Sequence, residues 1–213
     1  MKYAEFKNAV LDKPLILSRD ILRFKTGRQN ILNQLGRWRK RGLLVRIKRG
    51  VYILNKNDRR INPSLKFLAN QIYSPSYVSM EYALNFYGLI PESVHTVTSV
   101  STRKTARFKN ASGDFVYQHI QPSAYRGYKS LKDEAGLGFL IAEPEKAVVD
   151  FLYLNKSGIK AEDKSVFRES FRFQNTESLR RKKIMESAAL FGNNALTGIC
   201  RRFCDFIREE RTK

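Results

Sequence analysis

The segment 26–41 constrains the fold of this chain more than any other part of it. Its apolar residues recur at helical spacing, and Gly42, a residue type that often ends helices, follows directly. On a helical wheel one side carries Arg28, Ile31, Leu32, Leu35 and Trp38, and the other carries Thr26, Asn30, Asn33, Arg37 and Lys40. We therefore predict a helix, capped by Thr26, that packs through the first side and leaves the second free.

The elements around this helix predict a winged helix-turn-helix. Apolar residues at helical spacing within 1–11 indicate one helix, and Ser18 is a good N-cap for a second helix over 19–24. After the third helix, the apolar runs 43–48 and 51–54 flank Arg49-Gly50, which favours a β-hairpin. We predict a winged helix-turn-helix domain over residues 1–58, followed by a polar linker that ends at Pro63.

The distribution of charge points to a polyanionic partner. The chain has 40 Lys and Arg against 20 Asp and Glu, a net charge of +20. Residues 1–60 contain seventeen Lys and Arg but four Asp and Glu, so that +13 of this excess lies in under a third of the chain. A field of this size favours nucleic acid, acidic proteins or an anionic membrane surface.

The residue types on the free face of the predicted third helix suit the major groove of double-stranded DNA. Asn can bond bidentately to adenine and Arg to guanine, and these proteins use the N-terminal half of the recognition helix to read bases. We assign base contacts to the first half of the helix, and phosphate contacts to its second half and the hairpin. The predicted DNA-binding residues are Thr26, Arg28, Gln29, Asn30, Asn33, Arg37, Lys40, Arg46, Lys48 and Arg49. The alternative is a basic, solvated helix with no role in DNA binding.

Residues 64–213 predict a mixed α/β domain with a helical tail, so that the chain as a whole is α+β. The expected helices are 64–73, 76–87, 143–154 and two helices within 175–211, broken near Gly192-Asn193. The expected strands are 94–100, 102–110, 114–120 and 138–142.

No part of this second half predicts an active site, a metal site or a cofactor. Glycine-rich phosphate loops and nucleophile elbows do not occur. Glu143 and Asp150 could line one helical face, as a metal or acid–base pair would, but we favour a helix-start role for Glu145 and an ordinary salt bridge for Asp150. Cys200 and Cys204, four residues apart, are expected to be buried thiols rather than a disulfide.

Two basic clusters in the second half leave alternatives open. One lies around the strand 102–110, and the other comprises residues 180–183 with Arg201 and Arg202. They could extend a DNA footprint, meet an acidic partner or be ordinary solvated surface. The chain has no run of eighteen apolar residues and no signal peptide at its start, which favours a cytoplasmic protein without a membrane partner.

Three stretches resemble the AbiEi family of antitoxins. The first, Leu35 to Leu54, carries Gly-Leu-Leu and then Arg-Gly-Val-Tyr after the predicted recognition helix. The second is 76–91, and the third is 141–154 with its pattern Ala-x-Pro-Glu-Lys-Ala-x-x-Asp. The resemblance covers roughly residues 15–155 and leaves out the helical tail.

The resemblance implies an antitoxin of a type IV toxin–antitoxin system linked to abortive phage infection. Its winged helix would bind inverted repeats in its own promoter, as a possible homodimer, and repress the operon. Its second domain would counteract a nucleotidyltransferase toxin. A transcriptional regulator without a toxin partner, and an enzyme of nucleic-acid metabolism targeted by a winged helix, are the alternative classes; we expect no enzyme.

Overall fold

The chain is an α+β protein in the computed structural model, which describes residues 2–21, 28–159 and 164–211. The helices are α1 (Tyr3–Val10), α2 (Ser18–Ile21), α3 (Arg28–Lys40), α4 (Leu65–Ile72), α5 (Met80–Phe86), α6 (Pro144–Asn155), α7 (Arg181–Ala189) and α8 (Asn194–Arg211). The strands are β1 (Ile16–Leu17), β2 (Leu44–Lys48), β3 (Val51–Leu54), β4 (Tyr77–Val78), β5 (Val97–Ser101), β6 (Ala106–Asn110), β7 (Gly113–His119), β8 (Tyr128–Lys132) and β9 (Gly138–Ala142). Among these helices, none is both long and apolar enough to cross a membrane.

The order of three helices followed by a hairpin is confirmed in the first part of the chain. Gly42 ends α3 at φ +72°, where its N–H donates to the carbonyl of Arg39 and that of Leu43 donates to Trp38. These two bonds satisfy carbonyls that the helix end would otherwise leave unpaired. The predicted cap Thr26 and the end of the second predicted helix lie outside the described residues.

The small sheet of this first part has apolar residues on both faces. Its order is β1-β3-β2, with β1 as an addition that the sequence did not predict. Along β3, Leu54 and Tyr52 pack into a cluster with α1 and α3, whereas Val51 and Ile53 belong to the core of the second part. The hairpin is therefore shared between two hydrophobic cores, which explains why its second strand is a continuous apolar run.

The second part is built on a six-stranded mixed sheet in the order β6-β7-β5-β4-β9-β8. The predicted helix 76–87 is wrong in its first residues, because Tyr77 and Val78 form β4 near the centre of this sheet. Both pair with β5 on one side, Val78 also pairs with Ile141 of β9 on the other, and both are fully buried. Strand β8, which pairs with β9, was not predicted. Gly88 follows the end of α5 with φ +68°, in agreement with the expected helix stop, and the N–H of Leu89 donates to the carbonyl of Leu84.

The helical tail packs back onto α6. The predicted break lies between α7 and α8, at Gly192 with φ +56°. Cys200 and Cys204 are buried free thiols on α8, as expected, and burial raises the pKa of Cys200 to about 12. A group with this pKa is protonated at neutral pH, so the thiols act here as small apolar side chains.

A buried ion pair lies between α6 and the sheet. The ammonium of Lys146 lies 2.6 Å from one carboxylate oxygen of Asp150, and the two side chains are 1% and 0% exposed. The other oxygen accepts hydrogen bonds from Tyr77 Oη at 3.0 Å and Ser79 Oγ at 2.8 Å. The salt bridge predicted for Asp150 is present, but it is a core feature rather than an ordinary surface pair.

The segment after the hairpin is tied to α1 through Asp58. Its carboxylate accepts hydrogen bonds from Lys7 Nζ at 2.6 Å and from Tyr3 Oη at 2.7 Å. These bonds lower the pKa of Asp58 below its ordinary value, with the Lys7 bond as the largest cause. Since the folded-state pKa is depressed, the contribution to stability is present above the unfolded-state pKa and is lost as pH falls through the folded-state pKa.

We expect Asp58→Asn to lower the free energy of unfolding at neutral pH by about 1 kcal/mol. The difference from the parent chain should shrink as pH falls from about 5 to about 2, because the parent carboxylate is then protonated as well. Urea unfolding across this range measures it, with Asp12→Asn as the exposed control. A difference that stays constant with pH would contradict this role of the Asp58 charge.

Candidate nucleic-acid interface

The free face of α3 carries the side chains that the sequence predicted for it. Ile31, Leu35 and Trp38 are buried against α1, where Trp38 stacks on Phe6 with ring centroids 4.6 Å apart. The polar residues Gln29, Asn30, Asn33, Arg37 and Lys40 are exposed, and so is Arg39. Arg28 begins the helix, although the structure does not describe its side chain. The two-sided pattern of the helix is confirmed, and the helix contains no acidic residue.

Leu32 is a correction to that wheel. The wheel assigns it to the packing side, but its side chain is 39% exposed. The reason is that the buried strip of α3 is narrow: the residues that pack, Ile31, Leu35 and Trp38, span less of the helix circumference than the wheel allows. Leu32 lies at the flank of this strip and belongs to the accessible surface.

Two amide side chains on the free face are joined by one hydrogen bond. Gln29 Nε2 donates to Asn33 Oδ1 at 3.0 Å, one helical turn apart. This bond orients the Asn33 amide before any ligand arrives, which lowers the entropy lost when that amide binds a partner. Pairs at this spacing also support the helix itself.

Arg46 and Arg49 of the hairpin are also exposed. Arg46 lies opposite Tyr52 in β3, on the strand that follows α3. Arg49 lies in the turn with Gly50, whose φ of +80° places the turn where Arg49-Gly50 was predicted. Both side chains line a cleft together with Arg39 of α3.

Lys48, predicted from the sequence to bind DNA with them, lines the same cleft as Arg46 and Arg49, but its ammonium is engaged within the chain. The register shifts between Arg46 and Lys48, so that they pair with the successive residues Tyr52 and Val51 and point to opposite faces of the sheet. The Lys48 ammonium donates to the carbonyls of Gln71 and Ile72 at the end of α4, at 2.7 and 2.9 Å. Burial lowers its pKa, and the charge of Arg103 adds to this effect. Lys48 therefore joins the hairpin to the second part of the chain.

A basic cleft of about 720 Å³ separates the hairpin from the turn after β6. Arg39 and Arg46 line one side, and Phe108 and Lys109 line the other. The two sides are joined by Asn110 Nδ2, which donates to the carbonyl of Ile47 at 3.0 Å. Arg39 was not assigned to a site from the sequence, although its place in the basic run 37–41 could have indicated it.

The carboxylates at the start of α6 and within it do not form a shared site. Glu143 pairs with Lys183 at 2.7 Å, and Glu145 accepts from the backbone N–H of Arg180 at 3.1 Å. Asp150 is enclosed with Lys146 in the core. Across the residues that the structure describes, no group of three or more His, Cys, Asp and Glu is arranged to hold a metal ion.

The best-supported surface is thus the free face of α3 with the exposed arginines of the hairpin. It offers amide and guanidinium groups at the spacing of one helix face, flanked by further cations and without a carboxylate on the helix. Against known proteins, no family model matches the chain and no curated protein is significantly similar to it.

Proposed function

We propose that this chain is a sequence-specific binder of double-stranded DNA. In this proposal residues 1–58 act as a winged helix-turn-helix, with α3 as the recognition helix and β2–β3 as the wing. The observation that carries it is the exposed, non-acidic face of α3, together with the exposed Arg46 and Arg49 of the hairpin. Gln29, Asn30 and Asn33, with Arg28, read bases, while Arg37, Lys40, Arg46 and Arg49 contact phosphates.

Asn33→Ala should cost roughly 1–3 kcal/mol on the preferred DNA site and relax its sequence preference. Arg49→Ala should instead weaken binding to all sequences alike and reduce the slope of log affinity against log salt by about one. Lys48→Met removes the same charge as Arg49→Ala but should leave that slope unchanged, since the Lys48 ammonium is bound to the end of α4. Fluorescence anisotropy at several salt concentrations measures all three variants of the full chain.

If the Lys48 and Arg49 variants show the same slope of log affinity against log salt, the different roles proposed for these two residues are contradicted. A parent chain that binds its own promoter and random DNA with equal affinity would overturn sequence-specific binding altogether.

We further propose that the DNA-binding function serves an antitoxin, on the strength of the resemblance of residues 35–54, 76–91 and 141–154 to the AbiEi family. The protein then represses its own operon through inverted repeats, bound as a homodimer. Residues 64–213 counteract a nucleotidyltransferase toxin, and the chain performs no catalytic step of its own. The alternative is a regulator without a toxin partner. A gene for a nucleotidyltransferase directly next to the gene of this protein would favour the antitoxin.

Co-expression with the adjacent toxin tests the second role independently of the first. The full chain carrying Asn33→Ala and Arg37→Ala should lose repression of the promoter and still restore growth, because these residues lie on α3 and outside the second part. Loss of both functions in this variant, at unchanged protein level, would contradict two separable roles. Absence of rescue by the parent chain would overturn the antitoxin assignment.

A further inference from the structure

Leu32 is an exposed apolar residue beside the polar side chains on the free face of α3. Of the residues described by the structure, Leu32 and Phe86 are the two large hydrophobic side chains classed as exposed, at 39% and 41%. Phe86 has aromatic neighbours, since its ring lies edge-on to Tyr87 and Phe139 and under the Lys66 ammonium. Leu32 is not among the residues of either hydrophobic cluster. Among the residues that the structure describes, the two hydrophobic clusters therefore do not account for a leucine at position 32.

The next turn of the helix leaves Leu32 uncovered. Helical side chains lean toward the N-terminus, so the residue that would cover position 32 is the one four positions later, Gly36. A Cβ built on Gly36 meets no atom within 4 Å, so internal packing does not require glycine there. Glycine is also a poorer helix former than alanine. Leu32 and Gly36 together form a shallow apolar strip that runs beside Gln29 and Asn33.

Base edges in the major groove present one apolar group, the C5-methyl of thymine. The other groups that distinguish the base pairs there are hydrogen-bond donors or acceptors, and the amides of Gln29 and Asn33 suit those. An exposed leucine beside an ordered asparagine thus matches a thymine next to the base that the asparagine reads. The absent side chain at Gly36 leaves room for that methyl group to reach Leu32.

We propose that Leu32 reads the methyl group of a thymine in each half-site of the DNA, beside the base read by Asn33. The inference rests on the proposed DNA-binding function and adds a specificity-determining residue to it. The preferred DNA site should therefore contain a thymine at one position that neither Asn33 nor the arginines recognise.

The test uses duplexes selected by the full chain from a randomised library. Each thymine of the selected site is then replaced in turn by uracil, which removes the methyl group and keeps every hydrogen-bonding group. For the parent chain, uracil at one position per half-site should lower affinity about threefold to tenfold. For Leu32→Ala, uracil at that position should have no effect, and affinity for the thymine duplex should already be reduced. Phe86→Ala, the matched exposed control, should respond to uracil as the parent chain does.

Two failures of this experiment are distinguishable. If the library yields no preferred sequence, sequence-specific binding itself fails, and the reading by Leu32 fails with it. If a sequence is selected but Leu32→Ala keeps the same uracil sensitivity as the parent chain, the DNA-binding proposal stands and the role of Leu32 is overturned. That role is equally overturned if no thymine of the selected site is sensitive to uracil.

Discussion

A fragment of residues 1–60 should be strongly destabilised at 25 °C relative to the full chain, although it contains the first three helices and the whole hairpin. In the full chain Ile47, Val51 and Ile53 are buried in the core of the second part. Separation would expose much of these three side chains and withdraw roughly 3–6 kcal/mol of burial energy. A unit of this size has about 3–9 kcal/mol of stability in total. The fragment would also lose the bonds from Lys48 to α4.

Circular dichroism and urea unfolding of the fragment, beside the full chain, measure this effect. A useful control is the full chain cut by a protease within 55–63, since the two pieces keep the same contact and should stay together and folded. A fragment that unfolds cooperatively at the urea midpoint of the full chain would show that the shared sheet face contributes little. DNA-binding experiments on this protein accordingly call for the full chain.

Asp150→Ala should lower the free energy of unfolding by about 3–5 kcal/mol, because it leaves the buried Lys146 ammonium without a counter-charge. The hydroxyls of Tyr77 and Ser79 lose their acceptor at the same time. The double variant Lys146→Met, Asp150→Asn removes both charges and keeps an oxygen for these hydroxyls. It should be more stable than the single variant, although it has two substitutions in the core.

Urea denaturation of the parent, single and double variants measures this difference. Asp114→Ala is a suitable control: Asp114 also pairs with two cations, Arg107 and Lys109, but both are largely exposed. Its loss should cost no more than about 1 kcal/mol. A double variant as unstable as Asp150→Ala would mean that shape and hydrogen bonding at this position matter more than the unpaired charge.

Elements that depend on local signals could be predicted from the sequence. The end of α3 at Gly42, the hairpin turn at Gly50 and the start of α6 at Pro144 all rest on residues whose own backbone preferences decide the conformation. The polar face of α3 was equally predictable, because helical periodicity determines which side chains share a side.

Features that depend on distant partners could not be predicted in the same way. Tyr77 and Val78 continue the helical pattern of the residues after them, yet their pairing with β5 and β9 makes them a strand. The prediction for Lys48 assumed regular strand alternation, which the register shift in β2 breaks. The i,i+4 spacing of Lys146 and Asp150 is compatible with a salt bridge, but spacing alone does not indicate whether the pair is buried or exposed.

The sheet that two cores share has a consequence for how this chain can evolve. Recombination exchanges protein segments successfully when each segment carries its own complete interior. Here the hairpin supplies Ile47, Val51 and Ile53 to the interior of the other half, so a crossover in 55–63 would join surfaces that were never matched. The two halves are expected to be inherited together, and chimeras between distant homologues should need compensating changes along this one sheet face.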